Sequence, residues 1–154
     1  MNEVYENELR ALRHEISDLG ARPLLIDKHL DALLNRGEAT MTEDLLITLS
    51  DNAEYDEGMF AIIHVVESLD EGRYGSYESA VLSVFPTLMT SSPRWASIVL
   101  MRIMNSDASR NELVRQLRNA ATPIKESVRA MCERINKVSP EFLSKTVPVS
   151  VASS

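Results

Sequence analysis

The stretch Tyr55-Asp56-Glu57-Gly58-Met59-Phe60-Ala61-Ile62-Ile63-His64-Val65-Val66-Glu67-Ser68-Leu69-Asp70-Glu71-Gly72 decides the fold. Met59, Ile62, Ile63, Val66 and Leu69 recur at helical spacing, and Phe60 and Val65 add apolar surface on the other sides of the same helix. A helix that is apolar on more than one face needs neighbours on more than one face. Acids close both ends, so a buried central helix should surface at its termini in negative patches.

The rest of the 154 residues agrees with this. Apolar residues make up 44% of the chain, with only 5 Gly and 3 Phe, a balance that favours helices over sheets. The expected fold is all-α, with about eight helices in antiparallel hairpins, arranged as an irregular HEAT-like solenoid or a compact helical bundle. Residues 1–145 should form a single helical domain and 146–154, where Val, Pro and Ser mix without period, a flexible tail. No apolar run approaches the roughly 20 residues a membrane helix needs. The acidic start from Met1 to Glu6 lacks the features of a signal peptide, so a cytoplasmic protein is expected. Cys132 is the single cysteine and reads as a small packing residue.

Helix boundaries follow from stripes and punctuation. Tyr5, Leu9, Leu12, Ile16 and Leu19 form one stripe ending at Gly20, and Ile26, Leu30, Leu33 and Leu34 form a second between Pro23 and Gly37. Thr40 with Glu43 has capping-box spacing ahead of Leu45, Leu46 and Leu49. Asp56 is the expected cap of the central helix. Ser76 should start the next, with Pro86 kinking or splitting it. Ser92-Pro93 opens a second helix whose apolar residues wrap more than one face, Trp95 to Asn105. Its pattern overlays the first with a shift of 35 residues, Phe60 on Trp95 and Ile63 on Ile98, which suggests a helix-pair repeat. Ser109 with Glu112 repeats the capping-box spacing, and Thr122-Pro123 starts a helix carrying Ile124, Val128, Met131, Ile135 and Val138 inward.

The formal net charge of −7 conceals a split along the chain. Residues 1–71 hold 17 acids against 5 Lys/Arg, a net −12, whereas residues 72–154 hold 6 acids against 11 Lys/Arg, a net +5. From Glu38 to Glu71 there are ten acids and no Lys or Arg. Acids without partners are costly to bury, so this segment must face solvent or a basic partner. The aromatic anchors beside it are Tyr55, Tyr74 and Tyr77. Glu54, Tyr55, Asp56, Glu57, Asp70, Glu71, Tyr74 and Tyr77 are therefore the candidate partner-binding residues.

No pattern of catalytic chemistry is visible. There is no phosphate-cradling glycine loop, and the turn at Gly72-Arg73-Tyr74-Gly75 lacks the Lys-Ser/Thr that would follow in one. His14, His29 and His64 fall on three different helices. His64 and Glu67 share one face, but no further metal ligand joins them, and His64 reads as a core-edge residue bonded locally. Trp95 reads as a core anchor. A non-enzymatic protein without cofactor or metal is expected. The basic side chains Arg110, Arg115, Arg118, Lys125, Arg129 and Arg134 have no aromatic interleaving, so neither nucleic acid nor membrane is an expected partner.

At Asp56-Glu57-Gly58-Met59-Phe60-Ala61-Ile62-Ile63-His64, then Ser91-Ser92-Pro93-Arg94-Trp95-Ala96-Ser97-Ile98 and Arg102-Ile103-Met104-Asn105-Ser106, the sequence resembles the immunity protein 30 family of small helical bacterial proteins. The likeness covers residues 40 to 120. It implies an immunity protein of a contact-dependent growth inhibition or related polymorphic-toxin system, whose partner is the C-terminal domain of a cognate toxin, expected to be a basic nuclease. It also implies that Phe60 and Trp95 are scaffold rather than toxin contacts. A helical-repeat adaptor for a host protein or peptide is the alternative.

Overall fold

The computed structural model describes residues 2–69 and 75–154, and all regular structure within them is helical. The elements are α1 (Glu3–Asp18), α2 (Pro23–Leu34), α3 (Met41–Thr48), α4 (Asp56–Ser68), α5 (Ser76–Ser91), α6 (Pro93–Met104), α7 (Asp107–Leu117), α8 (Thr122–Val138), a 3-10 turn (Pro140–Phe142) and α9 (Leu143–Ala152). The chain divides into two compact units, Met1–Glu71 and Gly72–Ser154. The boundary is the point at which the charge along the chain changes sign.

In the first unit α1 packs on α2 and α3, and both of these pack on α4, which closes a four-helix bundle rather than a row of hairpins. The expected stripes meet inside it: Leu9, Leu12, Ile16, Ile26, Leu30, Leu33, Leu45, Leu46, Met59, Ile62, Ile63 and Val66 are all buried. Tyr5 belongs to this core, and its hydroxyl donates to Asp44 Oδ2 at 2.6 Å, tying α1 to α3. Burial, then the bond and charge of Asp44, push the phenol's pKa up. The Thr40 hydroxyl donates to the same carboxylate oxygen at 2.9 Å, so Asp44 is an acid of the Glu38–Glu71 run held by structure.

α4 approaches α2 closely because position 58 has no side chain. A Cβ there would lie 2.3 Å from Cδ1 of buried Ile26. Gly58→Val is therefore expected to destabilise the first unit by about 1–3 kcal/mol through overpacking. Gly58→Ala should lose less, because alanine's better helix propensity returns about 1 kcal/mol. Urea denaturation of the two variants checks the order.

In the second unit α5 is central, packed against α6, α7 and α8, and α9 covers α7 and α8. Trp95, Phe85, Val81, Leu88, Val99, Leu100, Leu113, Leu117 and Val128 fill the core. Gly75, at φ +85°, leads into α5, and its carbonyl accepts from Gln116 Nε2 at 2.8 Å. Buried Glu112 pairs with Arg115 and accepts from Gln116, while the Ser109 hydroxyl donates to buried Glu78 at 2.7 Å.

Several expectations are corrected. Residues 146–154 do not form a flexible tail: α9 runs through Pro148, with Thr146 and Val149 wholly buried. The Thr146 hydroxyl donates to Asn136 Oδ1 at 2.6 Å, and Lys145 Nζ donates to Asn105 Oδ1 at 2.6 Å and sits 5.0 Å over the Phe142 ring. Packing supplies what β-branched residues and proline withhold in propensity. Pro86 does not split α5, which continues from Ser76 to Ser91. α4 is capped at Tyr55, with Asp56 in the first turn, and α7 starts after Ser106, whose Oγ accepts from the Ser109 amide. The hydroxyl of Thr40 is spent on Asp44 rather than on a backbone cap. Val138 is 84% exposed and Leu19 and Leu34 are also solvent-facing, so the ends of three stripes overrun the core.

Candidate functional site

Of the candidate residues, Glu54, Tyr55, Asp56 and Glu57 lie where the start of α4 meets the α1–α2 turn. That turn is Leu19-Gly20-Ala21-Arg22, with Gly20 at φ +96° and Ala21, a residue with a Cβ, at φ +53°. Left-handed backbone at a non-glycine residue costs roughly 1–2 kcal/mol. Its neighbours hold it there. The Ala21 amide donates to the Glu15 carbonyl at 2.9 Å, and the Ala21 side chain is buried. The Glu15 carboxylate accepts from the Arg22 amide at 3.1 Å and from the Arg22 guanidinium at 3.0 and 2.8 Å.

The bonds from Arg22 hold the Glu15 carboxyl below the usual range, against the opposing effect of burial. Glu112 in the second unit is likewise lowered, chiefly by Arg115. A carboxyl whose folded pKa is depressed contributes stability above its unfolded pKa and loses it as pH falls through the folded one. Both units should therefore lose thermal stability on acidification below about 4.5, the ordinary glutamate value. Glu15→Gln should flatten that loss, which melting curves between neutral and acid pH would record.

Against this turn sit Glu54 and the first residues of α4. A Cβ at Gly20 would lie 3.1 Å from Glu54 Oε2, and one at Gly58 would lie 3.5 Å from the Ala21 carbonyl oxygen. Glu54, Tyr55, Asp56 and Glu57 are all exposed, Tyr55 by 44%. Leu19, 45% exposed, and Leu24, 83% exposed, flank the same turn. The turn thus exposes apolar side chains on either side of it, and the start of α4, which Glu54 brings against Gly20, exposes three carboxylates and a tyrosine. Arg22, the cation of this turn, has its charge engaged by Glu15. Asp56 and Glu57 also complement the positive end of α4, a local use that accounts for part of their placement.

Tyr77 is not part of this face. It is 6% exposed within α5 of the second unit and serves its core. The reason is its position at the second residue of α5, one turn before the buried Ala80 and Val81. Asp70, Glu71 and Tyr74 lie outside the described residues. Leu19 and Leu24 were missed by sequence reasoning: Leu19 extends the core stripe of α1 in register, and Leu24 is identifiable only as a leucine off the Ile26, Leu30, Leu33 stripe.

The remaining chemically capable groups are dispersed. His14 pairs with Asp18 at 2.8 Å, and His29 with Glu8 at 2.6 Å between α1 and α2. His64 is exposed on α4 rather than at the core edge and bonds to no described residue. Among the described residues no three His, Cys, Asp or Glu side chains converge as a metal site would require. Burial pushes the Cys132 thiol up to about 11, away from the reactive thiolate. No described helix is long and apolar enough to cross a membrane.

Residues 22–113, more than half of the chain, match the family model described as immunity protein 30. Searches of curated proteins and of solved structures returned no match. The matched span includes Leu24 and the whole start of α4.

Proposed function

We propose, because the chain belongs to the immunity protein 30 family, that it neutralises a cognate toxin through the acidic and apolar face formed by the α1–α2 turn and the start of α4, and that this toxin is a nuclease of a contact-dependent growth inhibition or related system. The observation that supports this location is the approach of Glu54 to Gly20 in the α1–α2 turn, which sets the exposed Tyr55, Asp56 and Glu57 at the start of α4 beside a turn flanked by the exposed Leu19 and Leu24. Aromatic and aliphatic anchors exclude water and supply the binding energy, while charge sets the encounter rate and suppresses wrong partners. A nuclease must hold a polyanion, so its substrate groove is basic. A carboxylate-rimmed surface competes for that groove.

The protein works by binding rather than by chemistry of its own, in keeping with a family that is generally non-enzymatic. Its place of action is the cytoplasm of the producing cell, where a nuclease would reach nucleic acid. The test is to mix the purified chain with the C-terminal domain of the secreted toxin encoded beside it. A one-to-one complex and loss of nuclease activity at equimolar ratio are expected. Activity unchanged by excess protein would overturn the assignment.

A further inference from the structure

The second unit carries a surface of the opposite character. α6 and α8 leave a groove of about 260 Å³ between them. Pro93, Ser97 and Met101 line it from α6 at four-residue steps, so they form one face of that helix. Met131, Ile135 and Val138 line it from α8 at steps of four and three. Arg94 and Arg134 stand one on each wall, and among the described residues no acid contributes to the lining. Val138, 84% exposed, leaves a branched apolar side chain in water at the rim.

These features select among occupants. The volume is below the roughly 300–1,000 Å³ of pockets that enclose cofactors and drug-sized ligands, and suits one large side chain. The two thioethers, Met101 and Met131, can adapt to whichever apolar side chain enters. Among the described residues no aromatic ring lines the walls, so bases have nothing to stack on. The rim is cationic on both sides. α6 begins here with Pro93 at its first position and no acid in its first turn, so its positive end adds to Arg94. Arg134 is exposed and makes no hydrogen bond or ion pair with any described residue.

We propose that this groove is the anchor site for a polypeptide partner that inserts one large apolar side chain beside an acidic residue, the carboxylate lying between Arg94 and Arg134. It stands independently of the toxin assignment: the face at α4 is acidic and this one is basic, so they fit partners of opposite charge. The full-length chain, panned against a random twelve-residue peptide library displayed on phage, should enrich peptides in which Phe, Leu, Ile, Met or Trp lies within two positions of Asp or Glu. A labelled peptide from that set, followed by fluorescence anisotropy, should bind Arg134→Glu at least ten-fold more weakly and E54K/D56K/E57K as well as wild type. Exchanging the peptide's acid for Lys should restore most of the loss on Arg134→Glu. No enrichment, enrichment without the paired apolar and acidic residues, equal binding to Arg134→Glu, or failure of the charge exchange to restore binding would each overturn the proposal.

Discussion

Reversing Glu54, Asp56 and Glu57 together (E54K/D56K/E57K) is expected to slow association with a basic toxin domain by ~10- to 100-fold at low ionic strength. The three changes move the formal net charge from −7 to −1. The wild-type rate should fall steeply as salt is added, because exposed charges are screened beyond about 10 Å at 0.1 M salt, whereas the variant's rate should be flat or rise. Tyr55→Ala should act on the other half of the kinetics. Removing an aromatic anchor from the middle of the face should weaken binding by about 2 kcal/mol, mostly through faster dissociation. Lysines in the first turn of α4 oppose the helix dipole by about 0.3–1 kcal/mol each, so melting curves must accompany the kinetics. Stopped-flow rates indistinguishable from wild type across a salt series would remove this face from consideration.

Trp95→Ala should produce the largest loss of stability of any single truncation in the second unit, about 3–5 kcal/mol. Its ring is fully buried on α6, among helices that α5 holds together, with the Arg94 guanidinium 5.0 Å from the ring centroid. Trp95→Phe should cost less than half as much, because most of the volume is retained. Trp95 is the single tryptophan, so selectively excited tryptophan fluorescence follows the second unit. Denaturant curves by circular dichroism compare all three proteins; a loss under 1 kcal/mol for Trp95→Ala would contradict the core position.

The helical class was legible because eight segments repeat their apolar residues with helical period, and period depends only on which face is buried. α9 was not legible. Pro148 and its β-branched neighbours disfavour a helix locally, and only contact with α7 and α8 explains Thr146 and Val149 inside. The charge reversal between residues 71 and 72 coincides with the division into two units, although composition alone gave no reason to cut the chain there. For the candidate face, Glu54 to Glu57 could be read from local composition. Leu19 and Leu24 could not, because what brings their turn to α4 is the Gly20–Ala21 backbone and the close approach at Gly58. Tyr77 shows the converse failure: proximity to acids in sequence says nothing about which side of a helix a ring occupies.

The most direct test of the central claim is growth of cells that express the neighbouring toxin's C-terminal domain together with wild-type protein or with E54K/D56K/E57K, each at matched abundance. Wild type should restore growth fully and the triple variant should not, while both melt at similar temperatures. Cells that die with wild-type protein present would contradict the immunity function itself, and full protection by the triple variant would contradict the face assigned to it.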